Sequence, residues 1–117
     1  MKTTILKYLS AGILLSVGMA TTAGYAAECI APANPGGGWD FTCRSIGKIM
    51  YDIGAVEKPI QVTNMAGGGG GIAYSHVVNK RNDDADLIVA ASSATATRLA
   101  QNAYAGMTFD QVRFLGA

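Results

Sequence analysis

The sequence lacks several patterns that identify common classes of protein. Its nine basic residues are scattered and balanced by eight acidic ones, so the net charge is +1 and no basic stripe with interleaved aromatics indicates nucleic-acid binding. No Lys-Ser or Lys-Thr pair follows its glycines, which excludes a phosphate-binding P-loop. Its two cysteines form no C-x-x-C or Cys/His spacing typical of a metal site. Neither a metal nor another cofactor is expected.

Patterns for catalysis are equally scarce. His76 is the single histidine, and on a helix beside Tyr74 and Val77 a histidine is more often a surface or packing residue than a base. No serine lies in a G-x-S-x-G elbow, and no pair of carboxylates is arranged in a way that indicates acid–base chemistry. The chain is therefore not expected to be an enzyme.

The N-terminus has the pattern of a secretory signal peptide. Lys2 and Lys7 form a charged region, Leu9–Met19 an apolar core and Thr21–Ala27 a region of small residues, with cleavage expected after Ala26. A membrane anchor is not favoured, because the apolar run is shorter than the ~20 residues that span a bilayer. We expect an exported, periplasmic protein.

Both cysteines lie after this cleavage point. Glu28, rather than a small residue, precedes Cys29, which argues against a lipoprotein. An even number of cysteines in an oxidising compartment favours a disulfide, and Cys43 is predicted one turn into a helix that packs back along the strand of Cys29. A disulfide is thus expected, with two buried free thiols that fill the core as the alternative.

A strand, a special loop and a helix follow one another three times in the mature chain. The strands are predicted at residues 29–33, 60–64 and 87–91, and the third is a continuous apolar run, typical of a strand buried on both faces. Right-handed crossovers then give a parallel sheet with helices on both faces, an α/β fold. Ligands of such sheets bind beyond the carboxyl ends of the strands, where all three loops fall.

Hydrophobic spacing predicts the buried face of the first helix. Ile46, Ile49, Met50 and Ile53 follow the i, i+3, i+4, i+7 rule, and Gly54 is expected to end the helix.

The C-terminal segment contains two further signals. Thr108 and Gln111 have the spacing of a capping box, and residues 112–116 are predicted to begin one more strand.

Two of the loops are rich in glycine. The first is Pro35-Gly36-Gly37-Gly38-Trp39-Asp40, with Asp40 expected to cap the helix, and the second is Met65-Ala66-Gly67-Gly68-Gly69-Gly70-Gly71. Glycine takes positive φ and leaves room for a ligand, so that successive backbone N–H groups can converge on one point. A helix N-terminus adds free N–H donors and the positive end of its dipole. The loops are therefore predicted to hold a carboxylate or a phosphate, with simple tight turns as the alternative.

The third loop carries hydroxyl groups instead of glycines, at Ser92, Ser93 and Thr95. Trp39 is either a core residue or a lid over an apolar part of the ligand. Its position inside the first loop, rather than on the helix face, favours the lid.

Taken in order, these segments resemble the extracytoplasmic solute-binding proteins of tripartite tricarboxylate transporters, the TctC or Bug family. The resemblance rests on the first glycine loop before an apolar helix, on Val62-Thr63-Asn64-Met65-Ala66-Gly67-Gly68-Gly69-Gly70 after a strand, and on Ser92-Ser93 after a third strand. It extends from Glu28 onward. The opening Glu28-Cys29-Ile30-Ala31-Pro32 and Cys43 are most similar to the tricarboxylate-binding branch.

The resemblance implies a two-lobed, non-enzymatic periplasmic receptor that is monomeric when complete. It would bind a citrate-like di- or tricarboxylate between its lobes and deliver it to membrane permease subunits. The implied ligand-binding residues lie in the three loops: Pro35, Gly36, Gly37, Gly38, Trp39, Asp40, Gly67, Gly68, Gly69, Gly70, Ser92, Ser93 and Thr95.

Family members are longer and contain a second lobe. Residues 1–26 are interpreted as the signal peptide from the N-terminal pattern. Residues 27–117 are interpreted as the first lobe, truncated at the crossover to the second. Two alternatives remain open. One is an exported α/β hydrolase or transferase that uses the Ser92-Ser93 loop, and the other is a small domain completed by another chain.

Overall fold

A computed structural model of the chain describes residues 26–116, so the predicted signal peptide, apart from Ala26, lies outside the described residues. Three parallel strands form a sheet in the order β2-β1-β3: β1 is Glu28–Ala31, β2 is Gln61–Asn64 and β3 is Leu87–Val89. In continuous register, β1 pairs with β2 on one side and with β3 on the other. The prediction of an α/β fold with a parallel sheet is confirmed.

A helix follows each strand. The helices are α1 (Gly38–Asp52), α2 (Gly71–Lys80) and α3 (Ser93–Ala100), and short 3-10 turns lie at Gly68–Gly70 and Phe109–Gln111. Within residues 26–116, none of the helices has the length and apolar character needed to cross a membrane.

The end of α1 is the one predicted from the sequence. Gly54 has φ +71° and donates its N–H to the carbonyl of Tyr51 at 3.0 Å, while Ala55 donates to Met50 at 2.8 Å. These two bonds form a Schellman motif, in which a glycine in the left-handed region satisfies the last carbonyls of the helix.

The central strand β1 is the most deeply buried element. Cys29, Ile30 and Ala31 are each at most 2% exposed. Because successive side chains of a strand point to opposite faces, burial of all three means that both faces of β1 are covered. Cys29 and Ala31 pack with Cys43 of α1 and Ala90 in one apolar cluster.

A second apolar cluster lies away from this one. Tyr74 of α2, Leu99 of α3 and Tyr104 form its buried part, and the two tyrosine rings are 5.4 Å apart between centroids. The segment after α3 therefore folds back onto the helices that follow β2 and β3.

The face that α1 buries is not the predicted one. Its buried residues are Asp40, Cys43 and Gly47, and of the predicted face only Met50 is partly buried. The three isoleucines of that prediction are 42%, 57% and 72% exposed: Ile46, Ile49 and Ile53.

The disulfide between Cys29 and Cys43 explains this difference. It is present as predicted, and it holds the two α-carbons 5.6 Å apart, so the helix backbone lies close to β1. Only small side chains fit between a helix and a sheet at that separation. One turn further on, a methyl group on Gly47 would lie 3.2 Å from Cβ of Ile60, which shows how close the contact is. The larger isoleucines are displaced to the outer side of the helix.

Two predictions about the third strand and the C-terminal segment were also wrong. β3 is only partly buried, because it lies at the edge of the sheet with β1 as its one neighbour among residues 26–116. Residues 112–116 form no strand in the described chain; Val112 packs instead against the Tyr74 cluster. The capping box between Thr108 and Gln111 is confirmed, but it begins a turn of three residues.

Candidate functional site at the carboxyl edge of the sheet

The loops that follow the three strands lie at one edge of the sheet, as predicted. The strands are parallel and in register, so their carboxyl ends, at Ala31, Asn64 and Val89, are adjacent. Backbone hydrogen bonds continue past the strand ends: Met65 donates to Ala31 at 2.8 Å, and Ala90 donates to Ile30 at 3.0 Å. The edge is therefore held together by backbone contacts as well as by the loops themselves.

The first glycine loop uses two of its amides within the protein. Gly36, at φ +85°, donates its N–H to Oδ2 of Asp40 at 2.8 Å, and Gly37 donates to the carbonyl of Asn34 at 3.0 Å. Gly37 itself has φ −73°, so the left-handed conformation is required at Gly36. The expectation that successive amides of this loop all converge on a ligand is therefore wrong for Gly36 and Gly37.

Asp40 does not cap α1. The helix begins at Gly38 after Gly37 in extended conformation, which makes Asp40 the third helical residue. Its carboxylate is buried, and Oδ2 accepts hydrogen bonds from the amide of Gly36 in the loop and from Nε of Arg44, one turn further along α1, at 3.0 Å. The hydrogen bonds from Arg44, Gly36 and Asn64 hold the pKa of Asp40 well below its usual range.

Asn64 also stabilises this edge, although no role was predicted for it from the sequence. From the last position of β2, its Nδ2 donates to Oδ1 of Asp40 at 2.8 Å and to the carbonyl of Ala33 at 3.1 Å. An asparagine between a strand and a glycine run is the one sequence signal that points to it. The bonds fix the first loop to the end of β2.

The second glycine loop adopts conformations that favour glycine at four consecutive positions. The φ angles across Gly67–Gly70 are +128°, +58°, +61° and +100°. The hydroxyl of Tyr104 donates to the carbonyl of Gly69 at 2.6 Å and so fixes the loop from outside. A methyl group on Gly70 would be 2.9 Å from that hydroxyl and 3.6 Å from Cη2 of Trp39. The second loop therefore lies against the start of α1.

The third loop uses two of its three predicted hydroxyl residues for its own structure. Ser92 and Thr95 form a capping box at the start of α3, in which the N–H of Ser92 donates to Oγ1 of the buried Thr95 at 3.3 Å. Ser92 and Ser93 are exposed. Within residues 26–116, neither serine is hydrogen-bonded to His76, so the contact that would activate a serine nucleophile is not formed there.

A cavity of about 430 Å³, open to solvent, lies between the first and third loops. Its walls come from the segment between β1 and α1, the first two turns of α1 and the residues after β3: Ala33, Gly38, Trp39, Thr42, Ala91 and Ser92. Of the predicted ligand-binding residues, Gly38, Trp39 and Ser92 thus line it directly. The second loop is connected to this wall through the approach of Gly70 to Trp39.

Trp39 has features of both roles considered from the sequence. It lies on the first turn of α1 rather than in the loop, and its indole packs against the Cys29 cluster. The same side chain lines the cavity. It is therefore a half-buried residue that packs against the core and also lines the cavity.

The first turn of α1 places two backbone donors at the cavity wall. The N–H groups of Gly38 and Trp39, at the first two helical positions, have no carbonyl four residues earlier within the helix. The partial positive charge of the helix dipole is concentrated at this end. These features favour an anionic or strongly polar group in the cavity.

Arg98, which the sequence had placed outside the loops, contacts the second loop. A methyl group on Gly69 would lie 2.4 Å from Cζ of Arg98, 2.7 Å from Nε and 2.8 Å from Nη1. Sequence spacing gave no indication of this contact, because 29 positions separate the two residues and the side chain reaches the loop from the last turn of α3.

No family model, curated protein or solved structure matches the chain. The structure shows an α/β domain with a cavity of small-molecule size at the carboxyl edge of a parallel sheet. In the described part of the chain, no group of three His, Cys, Asp or Glu side chains is placed to hold a metal ion.

Proposed function

We propose that the protein is an exported solute-binding receptor that captures a citrate-like di- or tricarboxylate and delivers it to the membrane subunits of a tripartite tricarboxylate transporter. The resemblance of its three loops to the TctC or Bug family suggests this function. The observation that supports it best is the cavity at the carboxyl edge, onto which the N-terminus of α1 opens.

The chemistry of the cavity suits a carboxylate with a short carbon chain. The N–H groups of Gly38 and Trp39 and the hydroxyl of Ser92 are candidate donors, and the helix dipole favours negative charge at the same point. The indole of Trp39 offers an apolar surface to the methylene groups of the ligand. A volume of about 430 Å³ falls within the range of small-molecule sites.

The disulfide supports the proposed location. Disulfides persist in oxidising compartments such as the periplasm and are rare in the cytosol. The Cys29–Cys43 bond is thus consistent with export, and it encloses the first glycine loop between its two ends.

The enzyme alternative receives less support. A hydrolase that used Ser92 would need a base in contact with the hydroxyl, whereas Ser92 is the N-cap of α3 and takes part in its capping box. Binding of a ligand through hydrogen-bond donors involves no proton transfer and therefore requires no such base.

Calorimetric titration of the purified chain with citrate tests the proposal, with trimethyl citrate as an uncharged analogue. We expect saturable heat with citrate and none with the ester. Gly38→Leu provides the site variant, because Gly38 lines the cavity and a methyl group there meets no atom within 4 Å. It should abolish binding without unfolding the chain.

Gly116→Leu is the matched control, since it is the same substitution at another position where a methyl group has open space. It should bind citrate like the wild type. Hydrolysis of an activated ester that is lost in Ser92→Ala, without citrate binding by the wild type, would contradict the receptor proposal and favour the hydrolase.

A further inference from the structure

The guanidinium group of Arg98 lies face-on against Gly69. A Cβ atom on Gly69 would lie 2.4 Å from Cζ of Arg98. Its distances to Nε and Nη1 would be larger and almost equal, at 2.7 and 2.8 Å. A point in the plane of the group would be closer to a nitrogen than to the central carbon, so this pattern identifies the flat face. The edges of the group, where the N–H donors of arginine lie, are consequently not blocked by the loop.

The charge of Arg98 has no compensating partner in the described chain. The other arginine near this edge, Arg44, is bound to Asp40 at 3.0 Å. In contrast, the guanidinium group of Arg98 forms no hydrogen bond or ion pair within residues 26–116. An arginine held against a backbone with free donors is prepared to bind an anion, because less side-chain freedom is lost on binding.

Gly69 is suited to hold this arrangement for two reasons. Its φ of +61° lies in the left-handed region, and any side chain would collide with the guanidinium group. Its carbonyl is fixed by the hydroxyl of Tyr104 at 2.6 Å. The backbone that Arg98 contacts is therefore anchored by a hydrogen bond and has no room for a side chain.

We propose that Arg98 binds a second carboxylate of the ligand and so makes the site selective for di- and tricarboxylates over monocarboxylates. This inference rests on the proposed function, in which the first carboxylate occupies the cavity at the start of α1. The second glycine loop links Arg98 to the cavity: Arg98 contacts Gly69, and the next residue, Gly70, approaches Trp39 of the cavity wall. The fork of donors on an arginine binds a carboxylate through two parallel hydrogen bonds.

The test compares citrate with butyrate, a monocarboxylate, in calorimetric and NMR titrations of the full chain. Arg98→Gln should weaken citrate binding at least tenfold and leave butyrate binding within twofold of the wild type. Arg98→Lys, which keeps the charge but not the fork, should show an intermediate loss for citrate. Gly69→Ala should reproduce the loss, because it displaces the guanidinium group.

Lys80→Gln is the matched control for the change in charge. Lys80 ends α2, a helix of ten residues that begins at the second loop, so it lies about 15 Å from the edge. This variant should bind both ligands like the wild type. Far-ultraviolet circular dichroism of every variant establishes that the fold is retained.

The outcomes separate the two proposals. If the wild type binds citrate and Arg98→Gln binds it equally well, the role of Arg98 is wrong while the receptor function stands. Equal losses for citrate and butyrate would also overturn the selectivity claim. If the wild type binds neither ligand, both proposals fail.

Discussion

The side-chain amide of Asn64 donates a hydrogen bond of 2.8 Å to Oδ1 of Asp40, across 24 positions of sequence. This bond connects the end of β2 with the first turn of α1. Because the other carboxylate oxygen binds Gly36 and Arg44, a single buried aspartate holds the first loop, the helix and the neighbouring strand together. The carboxylate thus stabilises one wall of the cavity rather than being free for a ligand.

Asp40→Asn should lower the melting temperature at neutral pH. The variant keeps an oxygen for Asn64 but presents an NH₂ group to the donors of Gly36 and Arg44. Burial of donors without an acceptor is unfavourable. Thermal unfolding followed by circular dichroism measures the difference. The control is Asp52→Asn, in an exposed pair with Lys48, which should change the melting temperature little.

The difference between wild type and Asp40→Asn should depend on pH. The pKa of Asp40 is depressed in the folded state, so its stabilising contribution is complete above the unfolded pKa of about 3.9 and is lost as the pH falls towards the folded value. The gap in melting temperature should stay constant from about pH 7 to pH 5 and shrink below about pH 4. A gap that is unchanged at about pH 2.5 would show that the charge of Asp40 contributes no stability.

Replacement of both cysteines by alanine should destabilise the fold. The disulfide joins residues 14 positions apart, and closure of a loop of this size contributes about 3 kcal/mol in the chain-entropy model. Chemical denaturation of the Cys29→Ala/Cys43→Ala variant measures the total loss, to which the removal of two buried sulfur atoms also contributes. Citrate binding should weaken as well, because the first glycine loop lies inside the closed segment. Alkylation of both cysteines in the exported protein without reductant would show that the bond does not form.

Substitution on the exposed side of α1 should cost much less stability than substitution in the buried strand β1. Ile53→Lys, on the exposed side of α1, should change the free energy of unfolding by less than about 0.5 kcal/mol. Ile30→Ala, in the centre of β1, should cost about 2–5 kcal/mol, since its side chain is 1% exposed. Urea titrations of the two variants provide the comparison, and a larger loss for Ile53→Lys would mean that α1 packs in the orientation predicted from its hydrophobic spacing.

Tyr104→Phe should loosen the second glycine loop. The variant removes the hydrogen bond to the carbonyl of Gly69, a contact of about 1 kcal/mol, and retains the ring that packs with Tyr74. We expect faster hydrogen exchange at the amides of Gly68–Gly70 and a loss of citrate affinity of a few fold. Tyr51→Phe, at an exposed position on α1, is the control and should leave both quantities unchanged. Unchanged exchange in Tyr104→Phe would show that the loop does not depend on this bond.

The sequence was sufficient to predict the order of the elements and the position of the loops. Apolar runs followed by glycine-rich or hydroxyl-rich loops mark β1, β2 and β3, and parallel crossovers then leave only one edge for the loops. The end of α1 at Gly54 and the turn at Thr108 were predictable because caps depend on local residue types.

The remaining features depend on contacts between distant residues. Hydrophobic spacing predicted that Ile46, Ile49 and Ile53 were buried, but the disulfide brings the face of Cys43 and Gly47 to the sheet. The role of Asp40 depends on Asn64, and that of Arg98 depends on Gly69. Such pairings cannot be deduced from periodicity, which describes one element at a time.

Residue-resolved NMR of the isotopically labelled chain, titrated with citrate, tests the central proposal most directly, because it reports both binding and its location. We predict saturable shifts of the backbone amides of Gly38 and Trp39, of Ser92 and of the Arg98 Nε–H resonance, with small changes at Lys80 and at the exposed end of α1. An absence of saturable shifts, or shifts confined to residues away from the carboxyl edge, would contradict the assignment of this edge as a carboxylate-binding site.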